Sequence, residues 1–297
     1  MGTSSPDPHS FLLVVLLLGS LAATTHPPPA TMSPLAFGTG SRGCSPPAAC
    51  EAAVADALRL GWRTLDCAYE YGTQPLVRRG LNASGVPRSA VFIATKIPGP
   101  VGFSAALQYF KDDLERLGTP YVDLLLMHYP CGDTWPQPRD GCPANDTDAA
   151  ARLDTWRAME TLVAAGSARA IGVSNFQERH LVQLVNRSTL LLSTTARPKE
   201  TTEAAEATKE ATEKKKATRT PAAPPLVPPV VNQVQWHLGF HDDALLAYCK
   251  QHGITLQAYS ALGGGGTSTG RDGGISLDDP VVTSIARRHN ATNAQGT

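Results

Sequence analysis

Residues 61–71, Gly61-Trp62-Arg63-Thr64-Leu65-Asp66-Cys67-Ala68-Tyr69-Glu70-Tyr71, hold the pattern on which the fold turns. A short apolar stretch runs into an acid, Asp66, and a tyrosine, Tyr71, follows five positions later. That spacing lets a carboxylate and a phenol meet at the C-terminal end of one strand.

Outward from this stretch the same unit recurs. Strands are expected at Pro34–Thr39, Trp62–Ala68, Val91–Ile97, Tyr121–Tyr129, Ala168–Asn175, Val230–His237 and Ile254–Ser260, with amphipathic helices between them and a last helix near Asp279–His289. Most strand starts lie 24 to 30 residues apart, the length of one strand-turn-helix unit. Apolar strands alternating with helices imply an α/β protein with a parallel sheet covered by helices. A closed barrel and an open doubly wound sheet both satisfy this pattern.

The strand ends are polar. The second strand ends near Asp66 and Tyr71, Lys96 lies in the third and His128 in the fourth. Ser174-Asn175 end the fifth, Asn232-Gln233 lie in the sixth, and Tyr259-Ser260 end the seventh. The C-terminal ends of parallel strands share one mouth, where barrel active sites form. A competing reading starts at Gly38-Thr39-Gly40-Ser41-Arg42-Gly43, a formal GxGxxG that could open a dinucleotide-binding Rossmann unit. That motif needs a helix starting inside the glycine turn, and Cys44-Ser45-Pro46-Pro47 intervene.

The 297 residues, 42% hydrophobic with zero formal net charge, can bury a full core and give no electrostatic reason to expect nucleic acid. Residues 1–23 read as a secretory signal peptide: Phe11–Ala23 is an apolar and small-residue run too short for a span of about 20 residues. Sequons at Asn82, Asn145, Asn186 and Asn290 agree with secretion, with no membrane attachment after cleavage. Translation from Met32 would instead leave the protein cytoplasmic, and bipartite targeting would send it to an organelle. Among the six cysteines, Cys131 can pair with Cys142 and Cys44 with Cys50, while Cys67 and Cys249 are expected buried and reduced. No CxxC occurs, so no structural metal is expected. Residues 193–229, first rich in Thr, Ala, Glu and Lys with scarcely an apolar anchor and then in Pro, read as a disordered insertion with an extended polyproline end.

The ordered blocks GWRTLDCAYEYG, FIATK, YVDLLLMHYP, ARAIGVSNF, VVNQVQWH and ITLQAYSALG resemble the aldo-keto reductases. The resemblance covers most of Pro34 to Gly263 outside the insertion. It implies a parallel (β/α)8 TIM-type barrel and NADPH-dependent reduction of a small-molecule carbonyl, an aldehyde or ketone. It places the family's tetrad on Asp66, Tyr71, Lys96 and His128, with Tyr71 giving the proton, its pKa lowered by Lys96. It places cofactor contacts on Thr39, Ser174, Asn175, Gln233, Tyr259, Ser260 and Leu262. Gly40 stands where many members carry tryptophan, as does Tyr129, and Ala261 replaces a usual proline. Strand eight, helix eight and the basic segment that grips the cofactor's 2′-phosphate have no counterpart before Thr297. The expectation is a barrel of 34–297, without strand eight and helix eight, that acts as an NADPH-dependent reductase; the alternative is a catalytically impaired remnant or binding protein without cofactor affinity. Substrate and oligomeric state are left open.

Overall fold

The computed structural model describes residues 31–40, 44, 47–132, 142, 147–187, 226–263 and 275–296. In chain order the elements are β1 (Phe37–Gly38), α1 (Pro47–Arg59), β2 (Thr64–Asp66), α2 (Gln74–Ser84), β3 (Phe92–Ile97), α3 (Phe103–Leu117) and β4 (Leu124–Met127). They continue as α4 (Ala149–Ala164), β5 (Ile171–Ser174), α5 (Glu178–Val185), β6 (Val231–Gln235), α6 (Asp243–Gln251), β7 (Thr255–Tyr259) and α7 (Pro280–Arg288). The seven strands pair in chain order from β1 to β7, every neighbour parallel. An order without reversal has no topological switch point, which removes the doubly wound alternative. The glycine motif falls with it, because α1 starts only at Pro47, beyond the last glycine.

The sheet curls. Gln233 Nε2 in β6 donates to Asp66 Oδ2 in β2 at 2.7 Å. Strands four places apart in a flat sheet would stand about 19 Å from each other. The strands are shorter than their sequence pattern, β1 and β2 above all. Gly61, at φ 101°, turns the chain just ahead of β2, and Pro34 has no amide to give a ladder. At the other ends ladder-like bonds run one residue further: Cys67 donates to the Ala94 carbonyl at 2.8 Å, His128 to Ile97 at 3.0 Å and Asn175 to Gln233 at 2.9 Å.

Successive strand residues point to opposite faces. Leu65, Ile93, Leu125, Met127 and Val173 face outward into a core shared with Val54, Phe110 and Trp156 of the helices. Ala94, Leu124, Leu126 and Val231 form a second, inner cluster. Gly172 belongs with this inner face, since a Cβ there would sit 2.6 Å from the Val231 carbonyl oxygen. Two residues further along the inward parity come Asp66, Lys96, His128, Ser174 and Gln233. An apolar plug therefore lies beneath a polar layer.

Glu160 of α4 receives Arg187 Nη2 at 3.1 Å on one oxygen and the Val227 amide at 3.0 Å on the other. Trp156 Nε1 adds a bond to the Val227 carbonyl at 3.0 Å. The last residues of the expected insertion, 226–229, are thus placed against α4, while 193–225 and the signal stretch 1–23 lie outside the described residues. Disulfides join Cys44 to Cys50 and Cys131 to Cys142, and Cys67 and Cys249 are free and buried. No described helix is long and apolar enough to cross a membrane.

Behind β3, the outward Thr95 hydroxyl donates to Asp113 of α3, and Gln74 Nε2 donates to the other carboxylate oxygen at 2.6 Å. Asp113 is fully buried, and burial pushes its carboxyl up to about 6 against the pull of these two bonds. The folded state then binds more protons than the unfolded chain between about pH 4 and 6, so stability falls as pH rises through that window, by on the order of 3 kcal/mol. Asp113→Asn should abolish this slope. Urea unfolding at about pH 4.5 and about pH 7.5 checks it: the variant's stability relative to the parent improves at the higher pH.

Candidate active site

Asp66 ends β2, and the chain then makes a 3-10 turn, Tyr69–Tyr71, closed by Gly72 at φ 63°. The turn carries Tyr71 back over the strand end. Lys96, fully buried, donates from Nζ to Asp66 Oδ1 at 2.5 Å and to the Cys67 carbonyl at 2.9 Å, with the Tyr71 hydroxyl 3.4 Å away. A buried ammonium is tolerable only with such acceptors. Burial by itself would depress the Lys96 ammonium, but the Asp66 carboxylate and then Tyr71 outweigh it and hold the pKa above the usual lysine value.

The expectation that Lys96 sets a low pKa on Tyr71 needs correction. Burial raises the phenol above its ordinary value, and the lowering influence of Lys96 recovers only part of that rise. Tyr69, the neighbouring alternative, packs edge-on against Tyr109 at 4.7 Å with Arg116 4.8 Å over its ring. It is Tyr71 that meets Lys96.

His128 is 5% exposed, lies edge-on to Tyr71 at 5.6 Å and stacks on Tyr129 at 4.4 Å. Its Nδ1 bonds Glu70 Oε2. Burial lowers the imidazole pKa, Glu70 pulls it back and Lys96 lowers it further. Glu70 was not among the residues singled out in the sequence. The signal available was its place beside Tyr71 in a three-residue turn.

On the far side of the mouth, Ser174 Oγ donates to the Gln233 carbonyl at 2.8 Å, and Asn175 Nδ2 donates to the His128 carbonyl at 2.9 Å and to Ser174 Oγ at 3.1 Å. Asn175 sits at φ 63°, a left-handed conformation that asparagine tolerates better than most residues, and its Oδ1 accepts the Tyr259 hydroxyl at 2.8 Å. Gln233 Nε2 also meets Gln257 Oε1 at 3.0 Å; Gln257 shares the inward parity of Tyr259 and was missed by the sequence reading. Asp66, Tyr71, Lys96, His128, Ser174, Asn175, Gln233 and Tyr259 thus form one connected set. Thr39 braces it from behind, its hydroxyl donating to the Asp66 carbonyl at 3.0 Å. Ser260, at φ 52°, follows Tyr259, and Leu262 lines a shallow cleft with His237, Leu238 and Ile275. Among the described residues, one further group of metal-ligand types, Cys131, Cys142 and His180, lies close together, but its two cysteines are bonded to each other.

Residues 34–281 match the model of the aldo/keto reductase family. The chain belongs to the aldo/keto reductase family. It is 32% identical over 244 residues to a 9,11-endoperoxide prostaglandin H2 reductase of Trypanosoma cruzi, covering 82% of this chain and 65% of that protein. It is 33% identical over 243 residues to a glyoxal reductase of Bacillus subtilis, with 82% and 65% covered. The crystal structure of an aldo/keto reductase from Brucella melitensis superposes with a TM-score of 0.62 at 28% identity, covering 88% of this chain and 77% of that one. The chain therefore spans about two thirds of the length of the curated relatives it matches.

The cofactor such reductases imply can be tested here at its nicotinamide end. A carboxamide offers one acceptor and one amino donor group, and the adjacent hydroxyl and amides of Ser174, Asn175 and Gln233 are complementary to it. The half-exposed ring of Tyr259 stands beside them. The set fits once two bonds are exchanged: opening the Tyr259–Asn175 bond frees Asn175 Oδ1 to accept the carboxamide amino group, and an Asn175 Nδ2 hydrogen turned from Ser174 Oγ meets its oxygen.

In this member of the aldo/keto reductase family, Asp66→Asn should leave a fully buried ammonium without its carboxylate and lower stability by about 3–5 kcal/mol. Pairing it with Lys96→Met should recover part of the loss, as chemical denaturation of the single and double variants will read out.

Proposed function

We propose that this aldo/keto reductase converts an aldehyde or ketone to the alcohol, with NADPH as hydride source and Tyr71 as proton donor. The observation that carries the reading is the buried Lys96 held between the Asp66 carboxylate and the Tyr71 hydroxyl. When bound, NADPH supplies the hydride; Ser174, Asn175 and Gln233 would hold its carboxamide and Tyr259 its ring, with Ser260 and Leu262 beyond. Tyr71 would pass its proton to the substrate's carbonyl oxygen, where charge gathers during reduction. Lys96 then stabilises the phenolate left behind, and Asp66 keeps Lys96 charged and in place.

The T. cruzi and B. subtilis relatives are named for reducing an endoperoxide and glyoxal. The glyoxal name supports a small-molecule carbonyl substrate. The two disulfides, the sequons and the Phe11–Ala23 run support a secretory location, since disulfides persist in oxidising compartments.

Tyr71→Phe should bind NADPH with unchanged fluorescence quenching and lose carbonyl reduction by about 100-fold or more. No quenching of the parent protein at millimolar NADPH overturns the reading in favour of a cofactor-free binding barrel. Because the Tyr71 pKa is raised, reduction should keep its proton donor through the neutral range and lose it only above about pH 10. Gly40→Ala tests placement of the same ring. Its Cβ would stand 2.4 Å from the Tyr71 ring, so turnover should fall while NADPH binding persists.

A further inference from the structure

Glu70 and Tyr71 are consecutive in one 3-10 turn, yet they point to different partners: Tyr71 to Lys96 and Glu70 to His128 Nδ1. A charged carboxylate has no hydrogen to give. In a pair of ionised Glu70 with His128 the hydrogen sits on Nδ1. A neutral imidazole carries one N–H, so its other nitrogen, Nε2, is then a bare lone pair. Nε2 is the nitrogen left for a ligand, and a lone pair cannot donate to a carbonyl oxygen.

We infer that Glu70 is a positioning residue that fixes His128 in its Nδ1–H tautomer, so that the neutral ring accepts a hydrogen bond from an alcohol hydroxyl and only the protonated ring donates to a carbonyl. The consequence for turnover rests on the carbonyl chemistry proposed above; the tautomer does not. His128 would then be a directional element. Neutral, it orients the hydroxyl of an alcohol for oxidation; protonated, it supports a carbonyl for reduction.

The groups that bear on this ring come from every neighbouring element. Glu70 favours the charged ring from the turn, and Asp66 does so from β2. Lys96 opposes it from β3, and burial of the ring opposes it most. Tyr71 and Tyr129 contribute ring contacts. The net direction is below the ordinary histidine value, which leaves the ring neutral at neutral pH. The side chain of Glu70 is one-third exposed, so a substitution there leaves the apolar core untouched.

The experiment uses full-length protein labelled with 15N-histidine, with the His128 signals assigned by their loss in His128→Gln. In the parent protein at about pH 7.5, His128 should show a protonated Nδ1 and a bare Nε2. Glu70→Gln keeps the shape but can donate its amide hydrogen to Nδ1, so the Nε2–H tautomer should appear. In kinetics, kcat/KM for reduction by the parent should rise as pH falls below about 6.5, the ordinary histidine value. Glu70→Gln should lose that rise and be about three- to tenfold faster than the parent at about pH 7.5, the worth of one hydrogen bond. An Nε2–H or doubly protonated His128 in the parent at about pH 7.5 overturns the inference, as does a Glu70→Gln variant that shows the Nε2–H tautomer yet keeps the parent's pH profile. Failure to bind NADPH would defeat the proposed reaction yet leave the tautomer to be read directly.

Discussion

The Asp66 carboxylate is the constraint on which the mouth of the barrel depends. One of its oxygens takes the Lys96 ammonium and the other the Gln233 amide. These partners belong to β3 and β6, so a single side chain ties opposite sides of a curled sheet. Lys96 has no exposed surface, and a charge in that position must be matched or the fold would not keep it. The plug of Ala94, Leu124, Leu126 and Val231 beneath excludes water from the base of the pair and so strengthens it. Packing below and charge pairing above are two layers of one arrangement.

Much of this was legible in the sequence because period-two alternation does two tasks at once. The parity that sends Leu125 and Met127 outward to the helices sends Leu124, Leu126 and His128 inward. Polar residues at the C-terminal ends of successive apolar strands therefore mark the mouth in the sequence itself. The choice between barrel and doubly wound sheet was not legible from alternation, since both use the same units. It lies in the pairing order. Strand lengths were overestimated because an apolar, β-prone run does not say where the ladder begins.

The residues missed share a physical reason. Glu70 reads as a solvated turn acid, and its partner lies 58 positions away. Asp113 reads as part of the polar face of a charged helix, and only the packing of α3 on β3 turns it into a buried carboxyl with Thr95 and Gln74. Gly40 was visible as a departure from the family pattern, but the sequence offered no cause. In this fold the Tyr71 ring occupies the space that a side chain there would need. In each case a local pattern was right about the backbone and silent about a contact made across the fold.

Glu160 has a consequence for how such a chain can change. Its two carboxylate oxygens hold Arg187 and Val227, so the chain leaves the barrel and returns to it at one clasp. Whatever joins those two points is, to the rest of the fold, a loop of fixed ends. Doubling the length of such a loop costs only about 0.6 kcal/mol in closure entropy. The position between α5 and β6 is therefore a natural port for added sequence: a segment there can grow, shrink or be exchanged for a tag while the clasp keeps the change from reaching the sheet.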